Sequence, residues 1–313
     1  MLEKRPFGNT GLYVAPLTFG AWSIGGPAQM GGKQIGWSGV NDADSIDALK
    51  AAYDAGIDLF DTADAYGRGH SERLLGQAFK GKREKVLISS KAGMIDDPAG
   101  FKLDFSRRHL TEACEGSLQR LGTDYLDIYL LHMVIDGHPL TDDIRATLDD
   151  LRHAGKIRHY GVSVQFPHQA MEQLEKHFGD SMMIEYSPLK RAGVEDVLSR
   201  AKELGVGVIT RGALEKGLLS GKYRPGHRFD AQDVRSRIPG DQIDRILSAA
   251  LKLKAAGIDL LAMAMQFQLA HPGCSTITVG MKTRRQVEEN VAAVSATAQF
   301  DWPSIIATLE GAA

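Results

Sequence analysis

Residues 57–67 of this 313-residue chain read IDLFDTADAYG, and Gly69-His70-Ser71-Glu72 follow closely. The first four residues form a short apolar run that predicts a buried strand. The run ends in two acids, a tyrosine and a glycine turn, and a helix is predicted to open at Ser71, Glu72 and Arg73. Asp61 stands at the strand's end, and Tyr66 sits in the turn behind it. A carboxylate and a phenol at the end of a buried strand are poorly explained by packing, because each costs free energy unless satisfied.

Outward from this stretch the chain beats regularly. Leu17–Gly20 is a short apolar run, and further runs fall at 57–60, 86–90, 126–131, 160–164, 182–186, 206–210 and 275–279. Amphipathic stretches alternate with them at 42–55, 70–80, 107–120, 141–154, 168–177, 194–204, 243–270 and 283–295. Buried strands alternating with helices mean parallel pairing through helical crossovers. Eight strands and about eight helices predict a closed (β/α)8 barrel, a TIM barrel, as a single domain over residues 1–313. A doubly wound open sheet is the alternative, but the G-x-G-x-x-G fingerprint it would need is absent. Asn9 and Gly11, between two short extended pieces at 6–17, predict an N-terminal β-hairpin. Two long connections, about 22–41 and 211–241, follow strands and therefore lie on the C-terminal face, where barrels bind ligands.

Composition narrows the function classes. Hydrophobic content of 43% and charged content of 24% describe an ordinary globular protein. The formal net charge of −2 comes with no basic stripe, which argues against nucleic acid as a partner. No apolar run is long enough to span a membrane, and the N-terminus MLEKRPFGNTG has no signal-peptide core, so a cytoplasmic protein is expected. Cys114 and Cys274 read as buried thiols, and no metal-ligand spacing is present. Oligomeric state is left open.

In a parallel barrel the residues just after each strand converge on one face. The second strand delivers Asp61 and Tyr66, the third is followed by Lys91 and the fourth by His132. Alone, a lysine after a strand is ordinarily a solvated charge, and a lone histidine is ordinarily a satisfied one. Four such groups arriving together suit proton donation to a carbonyl. An ammonium stabilises a phenolate and so eases proton transfer from Tyr66, Asp61 would hold Lys91, and His132 can donate to a substrate oxygen. Such a site reduces a carbonyl only with a hydride source beside it, which implies a nicotinamide.

The stretches GNTGLYVAPLTFGAW (8–22), GIDLFDTADAYGRGHSERLLGQAF (56–79), LISSKAG (87–93), LQRLGTDYLDIYLLH (118–132), LRHAGKIRHYGVS (151–163), GLLSGKY (217–223) and QVEENVAA (286–293) carry a resemblance over nearly the whole chain. The sequence resembles the aldo-keto reductases, in the bacterial and channel-subunit-like branch. The resemblance implies a tetrad of Asp61, Tyr66, Lys91 and His132, with NADP(H) as cofactor, bound without a Rossmann fold. It places Gly20, Ala21, Trp22, Asp61, Ser163 and Arg211 at the nicotinamide end. Leu214, Gly217, Leu219 and Ser220 would strap the pyrophosphate. Gly280, Lys282, Thr283, Gln286, Glu289 and Asn290 would surround the adenosine end, with Lys282, Arg284 and Arg285 as charge for a 2′-phosphate.

Three positions depart from the family pattern. Val164 replaces the asparagine expected after Ser163, Met183 is read at the glutamine position ending the sixth strand with Glu185 two residues on, and Arg211 replaces an aromatic. Trp22, Trp37, Met94, Met133 and a basic loop at 224–240 (Arg224, His227, Arg228, Arg235, Arg237) are the candidate substrate wall. The expected function is NADPH-dependent reduction of an aldehyde or ketone, with Tyr66 as general acid. The alternatives are a keto-sugar or sugar-nucleotide reductase, suggested by the family branch it resembles and by the basic loop, and a non-catalytic NADP(H)-sensing protein.

Overall fold

The computed structural model describes residues 2–98 and 100–310. Eight parallel strands form its centre: β1 (Leu17–Gly20), β2 (Leu59–Asp61), β3 (Leu87–Ala92), β4 (Leu126–Val134), β5 (Ile157–Val164), β6 (Ser181–Glu185), β7 (Gly207–Arg211) and β8 (Thr276–Gly280). Each pairs with the next, and β8 returns to β1 through Ile277↔Leu17 and Gly280↔Gly20, which closes the barrel. The helices are α1 (Asp42–Asp54), α2 (His70–Ala78), α3 (Arg107–Leu121), α4 (Asp142–His153), α5 (Pro167–Glu175), α6 (Val194–Leu204), α7 (Gly240–Ala255), α8 (Leu260–Leu269), α9 (Arg284–Ser295) and α10 (Trp302–Glu310).

Strand residues alternate between two apolar environments, as the two-residue period of a strand requires. Phe60, Val162, Val164, Ile184 and Val208 face outward and join the main core under the helices. Leu59, Ile128, Leu130, Met183 and Ile209 fill the barrel's interior together with Phe7 and Val14. Those last two come from the N-terminal hairpin, Arg5–Pro6 paired with Tyr13–Val14, which plugs the end opposite the long loops. The hairpin is where the Asn9 and Gly11 turn signals place it.

The long apolar stretch at 243–270 is two helices rather than one. Gly257, with φ +84°, ends α7, and the Asp259 side chain caps α8 by accepting from the N–H groups of Leu261 and Ala262. Two further hairpins rise at the mouth, Gln29–Met30 with Lys33–Gln34 and Met94–Asp97 with Gly100–Leu103. Their bases are tied by Arg68, whose Nη2 reaches the Gln29 carbonyl (3.2 Å) and the Asp96 carboxylate (2.5 Å).

Phe7 is wholly buried inside the barrel. Phe7→Ala should destabilise the protein by about 3–5 kcal/mol through the cavity it leaves. Chemical denaturation should show a lower midpoint with an unchanged slope.

Candidate active site

Period-two alternation puts one side chain from successive strand ends at the mouth, directly above the apolar interior. Asp61 stands above Leu59, Lys91 above Ser89, His132 above Leu130, Glu185 above Met183 and Arg211 above Ile209. Lys91 is fully buried. Its Nζ donates to both Asp61 oxygens (2.7 and 2.9 Å), to the Thr62 carbonyl (2.8 Å) and to Tyr66 Oη (3.2 Å). Burial works against the Lys91 charge, yet Asp61 and Tyr66 together hold the ammonium above its ordinary pKa.

Tyr66 is placed by its own loop. Gly67 follows with φ +60°, and a Cβ there would lie 1.9 Å from the Gly25 carbonyl oxygen, so only glycine lets this turn press against the loop after β1. The Tyr66 ring stacks on Trp22 (centroids 6.1 Å) and meets His132 edge-on (5.6 Å). Burial pushes the phenol above its ordinary value, and Lys91 pulls the other way. Lys91 lowers the phenol's pKa as expected, but burial is the larger effect, so the ammonium offsets part of that cost rather than reversing it. His132 is held well below its ordinary value, first by burial and then by Lys91 and Arg211, so the ring is neutral. A neutral imidazole has one N–H to offer a substrate oxygen. The β4 backbone goes irregular just beyond it, where Met133 has φ +58°.

Across the mouth lies a second charged group. Glu185 pairs with Lys190 (2.8 Å) and Arg211 (3.4 Å), and Lys190 also reaches Glu215 (3.2 Å). Against burial, Arg211 and Lys190 hold Glu185 below the usual carboxylate value. This corrects the reading of Met183 as the last inward residue of β6. Met183 is buried one layer down, and Glu185 occupies the rim. Val164 also turns away from the mouth, into the outer core, and only its carbonyl faces back, accepting from Arg211 Nη2 (3.1 Å).

The residues assigned to a cofactor fall in two strips. Gly20, Ala21 and Trp22 join the end of β8 through Ser23, whose Oγ lies 3.1 Å from the Gly20 carbonyl and 2.9 Å from that of Met281. Gly280 and Lys282 continue this strip, Thr283 caps α9, Gln286 Oε1 accepts from the Lys282 N–H (2.7 Å), and Asn290 is buried. Glu289 pairs with Arg285 (3.3 Å) on the surface. Leu214, Gly217, Leu219 and Ser220 lie in the strap after β7, and the Leu219 side chain packs against α7 and α8.

Of the three cations read near the adenosine end, Arg284 is bound in bidentate fashion to Asp47 (2.6 and 3.0 Å) and Arg285 to Glu289. Lys282 alone carries no carboxylate among the described residues; its Nζ donates to the Ser38 carbonyl (2.6 Å). Burial and the nearby Arg235 push it down to about 8. A half-buried cation that feels Asp233 only at a distance and makes no ion pair among the described residues suits a phosphate, so the residues fit a dinucleotide.

The basic loop reads differently in three dimensions. Arg228 is paired with Asp244 (2.8 Å), and Arg237 donates to the Gln34 carbonyl (3.2 Å). Arg235 is bound to Asp233 (2.8 Å) and sandwiched between Phe229 (4.0 Å) and Trp37 (4.8 Å). Arg228 and Arg235 thus fasten the loop through ion pairs, whereas among the described residues Arg224 and Arg237 reach backbone carbonyls only.

Residues 16–304 match the Aldo/keto reductase family. The chain belongs to that family. Aldo-keto reductase YhdN of Bacillus subtilis (strain 168) is 31% identical over 301 residues, which cover 92% of this chain and 87% of that protein. The NADH-specific methylglyoxal reductase of Escherichia coli (strain K12) is 29% identical over 320 residues, 94% of each chain. Among solved structures, the holo form of aldo-keto reductase AKR11C1 from Bacillus halodurans aligns at a TM-score of 0.81 with 30% identity, covering 100% of this chain and 98% of that one. As an aldo-keto reductase the chain is an oxidoreductase of carbonyl compounds, in a family that uses nicotinamide cofactors. No helix among the described residues of this aldo-keto reductase is long and apolar enough to cross a membrane.

Behind the tetrad, burial and the neighbouring Glu72 push the Asp64 carboxyl up to about 7. Its folded value exceeds the unfolded one near 3.8, so the native state holds the extra proton and stability falls as pH rises from about 4 through 7. Asp64→Asn should therefore raise the melting temperature at pH ~8 and change it little at pH ~4. Thermal melts of both proteins at the two pH values check this.

Proposed function

We propose that this chain is an NADPH-dependent reductase of small, uncharged aldehydes and ketones, with Tyr66 as the proton donor. The observation that carries the reading is the chain of contacts from Asp61 through Lys91 Nζ to Tyr66 Oη at 3.2 Å, with neutral His132 on the same side of the mouth. A carbonyl oxygen seated between Tyr66 Oη and the His132 N–H is polarised by two donors. NADPH, when bound, supplies the hydride to the carbonyl carbon. As negative charge grows on the oxygen, the Tyr66 proton crosses to it, and the phenolate left behind faces the Lys91 ammonium. Solvent then reprotonates Tyr66.

The choice of NADPH rests on Lys282. A 2′-phosphate would give this cation the counter-ion it lacks, and NADH would not. Trp22, Trp37, Met94 and Met133, all partly exposed beside the tetrad, form an aromatic and thioether wall suited to compact apolar carbonyl compounds. A sugar-nucleotide substrate has less support, because Arg228 and Arg235, two of the four arginines of the basic loop, are already paired with Asp244 and Asp233. The relative named for methylglyoxal reduction supports a small substrate.

Two measurements test the reading. Tyr66→Phe should leave NADPH binding within about twofold and lower kcat by at least ~100-fold; more than a tenth of the wild-type turnover would reject Tyr66 as acid. Lys282→Ala should weaken NADPH and leave NADH nearly unchanged. In the wild type, NADPH affinity should fall as pH rises through about 8, where Lys282 loses its proton, and NADH affinity should not follow. Equal pH dependence for both cofactors would remove Lys282 from the 2′-phosphate.

A further inference from the structure

Glu72 is wholly buried on α2, behind the tetrad rather than in it. A carboxylate taken fully out of water is expensive, and both of its oxygens are committed. Oε1 accepts from Ser90 Oγ (2.7 Å), and Oε2 accepts from Arg120 Nε (2.6 Å), which reaches in from α3. Ser90 is the residue before Lys91. Because side chains alternate along a strand, Ser90 points out toward the helices where Lys91 points into the mouth. Glu72 therefore grips the back of β3 at the place where Lys91 leaves its front.

The loop that carries Tyr66 is stitched to the same spot. Thr62 N–H donates to the Ser89 carbonyl (2.8 Å), and Asp64 N–H donates to the Lys91 carbonyl (3.1 Å). The Thr62 carbonyl accepts from Lys91 Nζ (2.8 Å), and the Thr62 hydroxyl meets Ser71 Oγ (2.5 Å) at the start of α2. The loop thus leaves β2, is pinned to β3 at Ser89 and at Lys91 itself, and returns to α2, which Glu72 clamps to β3 and α3. Packing alone would not require a buried ion pair here, since apolar side chains of similar volume commonly stabilise as well. An ion pair does fix register and direction, and a proton donor displaced by an ångström loses much of its rate.

We propose that Glu72, held by Arg120, is a positioning residue of the reaction: through Ser90 and the start of α2 it sets the Lys91–Tyr66 distance. Asp64 supports this placement. It shares the cluster's one guanidinium with Glu72, and its Oδ1 is buried without a partner. Glu72 holds Arg120 by a direct hydrogen bond, whereas Asp64 feels that guanidinium and Lys91 only through space, an arrangement that costs stability and holds the geometry.

The inference rests on Tyr66 being the acid, so Tyr66→Phe is assayed in parallel. The variants are Ser90→Ala, Glu72→Gln, Glu72→Leu and the double variant Glu72→Gln/Ser90→Ala, read for kcat, KM, NADPH dissociation constant, melting temperature and the pH profile of kcat. Ser90→Ala and Glu72→Leu should each lower kcat by about tenfold or more, with KM and NADPH binding within about twofold. The alkaline limb of their kcat profiles should move upward, because a Lys91 set further from Tyr66 lowers the phenol's pKa less. Glu72→Gln keeps an acceptor for Ser90 and should recover most of the kcat lost in Glu72→Leu. The double variant should lose less than the sum of its parts. If Glu72→Leu does not fold, Ser90→Ala, which removes a single hydroxyl, decides alone. Folded Ser90→Ala with kcat within twofold and an unmoved pH profile, beside an inactive Tyr66→Phe, overturns the positioning role. An active Tyr66→Phe overturns the acid reading instead, and the two failures are distinct.

Discussion

The buried ammonium of Lys91 is the constraint on which the rest of the mouth depends. Moving an unpaired charge into a barrel costs several kcal/mol, so every donor on Nζ must find an acceptor at a fixed place. Its three N–H groups are shared among four acceptors: both Asp61 oxygens, the Thr62 carbonyl and Tyr66 Oη. Two of these acceptors belong to the loop after β2. The fold of that loop is therefore part of the solvation of Lys91, and the phenol lies beside the ammonium because the ammonium needs it there. The glycine at position 67, the stacking on Trp22 and the anchoring of α2 keep this arrangement in one geometry.

The same low-polarity surroundings set the protonation states. Burial keeps Tyr66 protonated and leaves His132 neutral with one N–H, so each still has a proton to donate to a carbonyl oxygen. Opposite them, Arg211 and Glu185 neutralise each other across the ends of β6 and β7, so a second charged pair lines the rim without leaving a net charge. The loops after β1 and β7 close on one another through Arg235, Trp37 and the Val234 N–H to Gly36 carbonyl bond (3.0 Å). Lys282 lies under this junction, where it also approaches the Trp37 ring (5.5 Å).

Much of this was legible in the sequence, and the misses have physical causes. Buried parallel strands leave near-continuous apolar runs, so the eight strands and the order Asp61, Tyr66, Lys91, His132 could be read directly. The apolar run of β6 does not say at which residue the barrel's rim lies, and the strand continues two residues past Met183 to Glu185. The break between α7 and α8 was marked by Gly257 and Asp259, but the apolar content of α8 outweighed those signals. Charge in the basic loop cannot be weighed from sequence without partners: Asp233, two residues from Arg235, neutralises it, and Asp244 neutralises Arg228. Glu72 was seen only as a helix opener. Its weight comes from Arg120, 48 residues away, and from the outward face of β3, neither of which a local pattern contains.

The central claim is that the buried Asp61–Lys91–Tyr66 chain serves hydride reduction of a carbonyl rather than cofactor binding alone. The most direct test is a single-turnover reaction of the protein with NADPH deuterated at the transferable hydrogen and a small aldehyde such as methylglyoxal, with the product read by mass spectrometry. The account predicts one deuterium on the carbinol carbon of the alcohol, appearing as NADPH absorbance is lost. Tight NADPH binding with no deuterium transferred to any of a panel of small aldehydes and ketones would contradict it.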